Sequence, residues 1–195
     1  MNHNTDQYYV EKAMLGDTRA FGTLVERYQD FIFTIVLRMV KVREEAEEVA
    51  QDAFIKAYES LPSFRGESKF SSWLYSIAYR KALDSIRKSK RQQTSGLIEE
   101  ITESNFEPVE NALQYLEDQE RKKIIQDCIM QLPESEAAII TLYYFEELSV
   151  REITSIVNLT EDNIKVKLYR SRKKLHSLLE HYLKPELTIL NGKAI

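Results

Sequence analysis

Apolar positions along this chain recur three and four residues apart over long stretches and show no sustained alternation. The segments from about Asp6 to Leu15 and from Thr18 to Val40 therefore predict amphipathic helices, the second carrying Phe21, Leu24, Val25, Tyr28, Ile32 and Ile35 at helical spacing. A third helix, from about Glu44 to Ser60, aligns Ala46, Val49, Ala50, Ala53, Phe54 and Ala57 on one stripe. Pro62 and Gly66 break the pattern within LPSFRGES, which predicts a loop, and a fourth helix runs from about Phe70 to Ser89. Periodicity then stops over QQTSGLIEEITESNFEP, a polar and acidic stretch ending at Pro108 that reads as a flexible linker. Helices resume from Val109 to Gln131, from Pro133 to about Glu147, and as two shorter segments between Leu148 and Leu175, with a frayed tail from Thr188. The expected fold is all-α: two small helical domains at 1–91 and 109–184, joined by a linker at 92–108 and followed by a tail at 185–195.

The segment LSVREITSIVNLTEDNIKVKLYRSRKKL has the form of a helix, a tight turn and a second, basic helix, as in helix-turn-helix DNA readers. Ser149 and Glu152 are spaced for a capping box, Ile153, Ile156 and Val157 give the apolar stripe, and Asn158 suits a left-handed turn. Thr160 is placed to cap the second helix, with Glu161 and Asp162 at its positive dipole end. At about 100° per residue, Ile164, Leu168, Ser171 and Leu175 fall on one side of that helix. Asp162, Val166, Tyr169, Arg170 and Lys173 fall on the other, with Lys165, Lys167, Arg172 and Lys174 near the flanks. Together with Asn163, the outer and flanking residues Asp162, Lys165, Val166, Lys167, Tyr169, Arg170 and Lys173 are the candidate duplex contacts. Cations there bind phosphates of any sequence, whereas specificity needs side chains aimed at base edges.

Composition agrees with helices: 195 residues, 43% apolar, only 5 Gly and 4 Pro. The formal net charge of -4 conceals segregation. From Arg65 to Arg91 the chain is basic, whereas Gln92 to Gln119 holds no Lys or Arg but many carboxylates. The amino terminus lacks the apolar core of a signal peptide, and no segment has the apolar length of a bilayer span, so a cytoplasmic location without membrane insertion is expected. Cys128, the single cysteine, falls in an apolar pattern that suggests packing. His3, His176 and His181 are scattered, and neither a Gly-rich phosphate loop nor a metal-ligand cluster occurs, so no enzyme activity, cofactor or metal is expected.

Two further segments carry candidate chemistry. Glu48, Gln51, Asp52 and Ile55 sit on neighbouring turns of the third helix, a polar patch with one apolar residue that suits a protein partner. Downstream, aromatics interleave with cations, as on surfaces that bind single-stranded nucleic acid by stacking and phosphate attraction. Phe70, Trp73, Leu74, Ile77 and Ala78 follow the helical core rule. The loop residues Ser63, Phe64, Arg65, Gly66, Ser68 and Lys69 are the candidates for holding a flipped base, and Arg80, Arg87, Lys88 and Arg91 for gripping duplex phosphates.

In this order, AEEVAQDAFIKAY, FRGESKFSSWLYSIAYRKALDSIRK and LPESEAAIITLYYFEELSVREITSIVNLTEDNIKVKLYRSRKKL resemble three functional segments of the small, two-domain sigma factors of bacterial RNA polymerase, the extracytoplasmic-function group. The resemblance implies that Glu48, Gln51, Asp52 and Ile55 help dock core RNA polymerase at its clamp helices, with the polymerase flap as a further contact. It implies that the loop from Phe64 to Lys69 captures a base of the downstream, minus-10 element, and that the second domain holds the upstream, minus-35 element, so that promoter DNA is bound both double-stranded and melted. An anti-sigma factor is a frequent partner in that group. The chain departs from the group in having Asn158 where relatives often have Gly, and Asp162 and Val166 at outward positions where small or polar residues are common. A helix-turn-helix regulator acting without being a polymerase subunit is the alternative, although it leaves the front basic segment unexplained.

Overall fold

The computed structural model describes residues 5–92 and 118–192, with side chains over 5–90 and 119–182. Among the described residues there are eight α-helices and no strand: α1 (Asp6–Met14), α2 (Thr18–Val40), α3 (Arg43–Ser60), α4 (Phe70–Gln92), α5 (Asp118–Met130), α6 (Glu134–Tyr144), α7 (Val150–Val157) and α8 (Glu161–Gly192), with a short 3-10 turn at Leu61–Ser63. Thr5 and Asp17 cap α1 and α2 by accepting backbone N–H bonds. The linker expected at 92–108 falls outside the described residues except for Gln92, which closes α4, and so does the expected start of α5 at Val109.

Two expected boundaries move. Helix α6 stops at Tyr144 rather than near Glu147, because Glu147 takes a left-handed φ of 52°, which no α-helix continues through. Of the tail expected at 185–195, residues 185–192 are helical, so Pro185 does not end α8, and 193–195 lie outside the described residues. Pro removes one backbone donor, and helix propagation on both sides continues despite that loss.

Helices α1 to α4 pack on one another around Val10, Leu24, Ile32, Ile35, Met39, Ala46, Ala53 and Leu74, all buried. The small side chains along α3 let it lie close to its neighbours, since Ala46, Ala53 and Ala57 have no exposure at all. The back half buries Ile129, Ala137, Ile139, Ile140, Leu142, Ile153, Ile156, Ile164 and Leu168 where α5, α6, α7 and α8 meet. Cys128 is buried with them, and burial pushes its thiol up to about 11, so it is a packing group rather than a reactive one.

The two halves also touch. Helix α2 lies against α6, and α4 against α7. Arg38, only 4% exposed, donates from Nη1 to Thr141 Oγ1 at 2.9 Å and stands 4.3 Å from the Phe145 ring centre. The Tyr75 hydroxyl donates to Glu146 at 2.6 Å, Lys69 pairs with Glu152 at 2.9 Å, and Lys90 with Glu134 at 2.8 Å. Desolvation holds the Arg38 guanidinium down to about 10 and the Lys41 ammonium down to about 8. A hydroxyl bond to a charged group contributes about 1.5–3 kcal/mol and a ring face about 0.5–2, while removing a cation from water costs several. Apolar burial therefore has to supply what the cations do not.

Candidate nucleic-acid interface

Three surfaces collect the residues singled out in the sequence. The first is the outer face of α8. Ser149 Oγ accepts from Glu152 N, and Ser149 N in turn donates to the Glu152 carboxylate, the reciprocal capping box that starts α7. Asn158 ends α7 in the left-handed region at φ 55°, and Thr160 then caps α8 through Asn163 N. Ile164, Leu168 and Ser171 face inward as the spacing requires, and Leu175 packs partly buried against the core. Asp162, Asn163, Lys165, Val166, Tyr169 and Arg170 face solvent, with Tyr169 64% and Val166 46% exposed. Lys173 is half-buried. Lys165 stands 3.8 Å from Glu161 and 3.7 Å from Asp162, so first-turn acids partly neutralise that end. Lys167 is drawn back to Ser135 Oγ at 3.1 Å and is held at the flank.

The second surface is the loop before α4. Gly66 has φ 71°, a left-handed turn that a side chain would strain. Arg65, Glu67, Ser68 and Lys69 are exposed around it, and Ser63 Oγ bonds the Ser60 carbonyl at 2.6 Å. The Phe64 ring is 8% exposed and packs 5.2 Å from Trp73 and 6.0 Å from Phe70, so it forms a floor rather than an open platform. Ser63, Phe64, Arg65, Glu67, Ser68 and Trp73 line a recess of about 260 Å³. Trp73 is the residue that helical periodicity assigned to the core with Phe70, Leu74, Ile77 and Ala78. Those four are buried, but Trp73 is only partly so, and it also borders a groove of about 450 Å³ with Ser63, Ile77, Arg80 and Lys81.

Along α4 the cations are tethered. Arg80 donates from Nε to the Ser76 carbonyl at 2.9 Å and from Nη2 to Ser76 Oγ at 3.0 Å. Arg87 pairs with Asp84 at 3.4 Å, and Lys88 is exposed. The side chain of Arg91 lies outside the described residues.

The third surface is the solvent face of α3. Glu48, Gln51, Asp52 and Ile55 are all exposed there, Ile55 by 58%. Tyr58, 41% exposed and edge-on to Phe21 at 4.9 Å, extends the patch one turn further, and its spacing of three from Ile55 was the signal in the sequence. Lys81 of α4 reaches Asp52 at 3.3 Å, joining this patch to the second surface. Among the described residues no group of His, Cys, Asp and Glu could hold a metal ion, and no helix is long and apolar enough to cross a membrane.

Comparison with known proteins finds two family regions along the chain. Residues 24–92 match Sigma-70 region 2 and residues 122–175 match Sigma-70, region 4. The chain is 34% identical to the RNA polymerase sigma-H factor of Pseudomonas aeruginosa over 94% of this chain and 98% of that one. It is 34% identical to the ECF RNA polymerase sigma-E factor of Escherichia coli K12 over 90% and 95%, and 36% identical to the ECF RNA polymerase sigma factor SigW of Bacillus subtilis over 87% and 94%. In fold it resembles the sigma factor RpoE of Bartonella quintana, solved with the anti-sigma factor NepR, at a TM-score of 0.62 and 21% identity over 82% of this chain and 96% of that one. It also resembles CnrH, solved with the cytosolic domain of CnrY, at a TM-score of 0.57 and 21% identity over 90% and 97%. Near full-length identity to such relatives, with both region matches in the same order, means that the chain belongs to the extracytoplasmic-function group of sigma-70 factors, which are transcription initiation factors rather than enzymes.

Proposed function

We propose that this sigma factor docks core RNA polymerase through Glu48, Gln51, Asp52, Ile55 and Tyr58 and reads a promoter at two places. The outer face of α8 meets the upstream element as duplex, with Arg170 and Lys173 on phosphates or base edges and Val166 and Tyr169 offering apolar contact. The recess floored by Phe64 and Trp73 takes one base of the downstream element out of the stack, and Arg80, Arg87, Lys88 and Arg91 hold the flanking phosphates. Domain 1–91 thus serves polymerase and melted DNA, and domain 109–184 serves duplex. An anti-sigma factor is a further proposed partner, a reading supported by the similar fold of the Bartonella quintana sigma factor RpoE, solved in complex with the anti-sigma factor NepR.

The observation that carries this reading is the recess itself. A cavity of about 260 Å³ lined by a buried phenylalanine, a half-buried tryptophan, Ser63, Arg65, Glu67 and Ser68, beside the left-handed Gly66 turn, has the apolar face and a cation for a flipped nucleotide. Sigma-free core polymerase mixed with the protein and a promoter library will initiate at specific sites. Initiation no better than with core alone refutes the proposal. Specific DNA binding without initiation would favour the stand-alone helix-turn-helix regulator.

A further inference from the structure

The recess before α4 is charge-balanced, and the groove beside it is not. Among the described residues, Arg65 is the one cation that lines the recess, and it faces the one carboxylate there, Glu67, at 4.0 Å. The neighbouring groove of about 450 Å³ between α3 and α4 is lined by three cations, Lys56, Arg80 and Lys81, against one carboxylate, Asp84. A base needs no net charge from the walls around it, whereas a phosphate does. The two cavities share Ser63 and Trp73, so the indole that walls the recess also walls the groove.

The groove follows from a spacing of four on both helices. Lys56 and Ser60 stand one turn apart on α3, Trp73, Ile77 and Lys81 repeat at the same interval on α4, and the packing of the two helices sets these lines face to face. The half-buried Trp73 and the buried Ile77 make one end apolar, and Lys81 makes the other cationic where it reaches Asp52 at 3.3 Å. Lys56 is paired with Glu59 at 3.6 Å, and the carboxylates of both pairs are exposed. Such pairs contribute little in water, so a phosphate displaces them at small cost. Arg80 is fixed differently, by two bonds to Ser76, which order its guanidinium and leave its charge unneutralised. An aromatic wall and a cationic end, in a volume typical of small-molecule sites, are the parts that hold a base and its phosphate.

We propose that the α3–α4 groove is a nucleotide site in its own right: the base lies against Trp73 and Ile77, and the phosphate takes Lys56, Arg80 and Lys81. The site goes beyond the promoter reading, since Lys56 and Lys81 belong to none of the surfaces assigned to DNA. A nucleotide free in solution and a nucleotide of a melted strand next to the recess offer it the same chemistry. A free nucleotide bound there competes with the strand for Trp73.

The full chain carries its own reporter, because Trp73 is the single tryptophan. Its fluorescence is titrated, without polymerase, against thymidine diphosphate, thymidine and single-stranded trithymidylate. Saturable quenching by the diphosphate is expected, with thymidine about tenfold weaker or more for want of a phosphate. Lys56→Ala and Lys81→Ala are each expected to weaken the diphosphate by about fivefold or more, whereas Lys123→Ala, which removes an equal charge from the exposed face of α5, leaves it unchanged. Denaturation midpoints close to wild type separate loss of the site from loss of the fold. Trithymidylate less than about tenfold tighter than the diphosphate marks a free nucleotide as the ligand, and a larger advantage that Lys81→Ala removes marks the strand. Absence of saturable quenching by either probe overturns the site, and so does quenching that Lys81→Ala weakens no more than Lys123→Ala. Initiation does not enter this readout, so failure of the sigma reading leaves the groove standing, and failure of the groove leaves the initiation test intact.

Discussion

The front and back halves each present a basic helix, but they present it differently. On α4 the cations are tethered to neighbours, Arg80 to Ser76, Lys81 to Asp52 and Arg87 to Asp84, beside a recess with an aromatic floor. On α8 Tyr169 and Arg170 stand in solvent on the outer face of a helix anchored by its inward stripe. On the proposed reading, the front half would take one extruded nucleotide, with its side chains ordered before binding. The back half, on the same reading, would meet a groove, where charge and apolar edges act over a wider area. The buried apolar residues of the two halves form one continuous cluster, with Arg38 and the Nζ of Lys41 buried where the halves meet.

The largest expected effect separates the halves. Ile139 of α6 has no exposure, and Ile139→Ala removes buried methylenes at a cost of about 2–5 kcal/mol. Chemical denaturation followed by far-ultraviolet circular dichroism will record that loss. Fluorescence of Trp73, the single tryptophan and a front-half reporter, will shift less, because the front half loses only what docking contributes. Equal shifts in both signals would merge the halves into one cooperative unit and dissolve the comparison.

Next in size is the contrast between the two readers. Trp73→Ala removes a stacking wall of the recess, and base stacking on an aromatic side chain contributes about 1–3 kcal/mol. Promoter opening, read by permanganate reactivity of unpaired thymines, will fall while duplex binding by the protein holds. Tyr169→Ala and Arg170→Ala on α8 will do the reverse, weakening duplex affinity by about 1–3 kcal/mol where a base edge is read, with Arg170→Ala also lowering the salt slope by about one. If both sets of variants impair both assays equally, the division between recess and surface is wrong.

What the sequence discloses about these surfaces follows from how local the signal is. The capping box at Ser149 and Glu152, the left-handed Asn158 and the inward stripe of Ile164, Leu168 and Ser171 all rest on spacings of a few residues, and each is present in the fold. The helical rule also placed Leu74, Ile77 and Ala78 inside correctly, but it gives a direction and not a depth, so it could not see that Trp73 stands where the core ends and the recess begins. The loop pattern names Phe64 among residues that could hold a base, and the packing of Phe70 and Trp73 around it makes it a floor. The contact between the halves had no sequence signal at all. Arg38 and Thr141 lie far apart in the chain, and each fits its own helix without the other.

The smallest expected effect concerns that contact and depends on pH. Lys41 faces Glu134, which is paired with Lys90, and also Arg38 and Lys174. Desolvation, opposed by Glu134, holds its ammonium down to about 8 from the ordinary 10.5. The native state therefore binds fewer protons than the unfolded chain between these two values. Stability rises with pH across that window, and below it the full cost of the buried cation is present. Lys41→Met keeps the stem, keeps the left-handed backbone and removes the charge, so at about pH 7.5 it is expected to be more stable than wild type, with the gap shrinking by about pH 9.5 as Lys41 discharges in the native protein. Denaturant midpoints of the two proteins at both pH values measure this difference, and because Tyr28 and Tyr75 titrate alike in both, their contributions cancel. A gap that widens with pH would mean that the Lys41 ammonium is held by a favourable contact rather than buried at a cost.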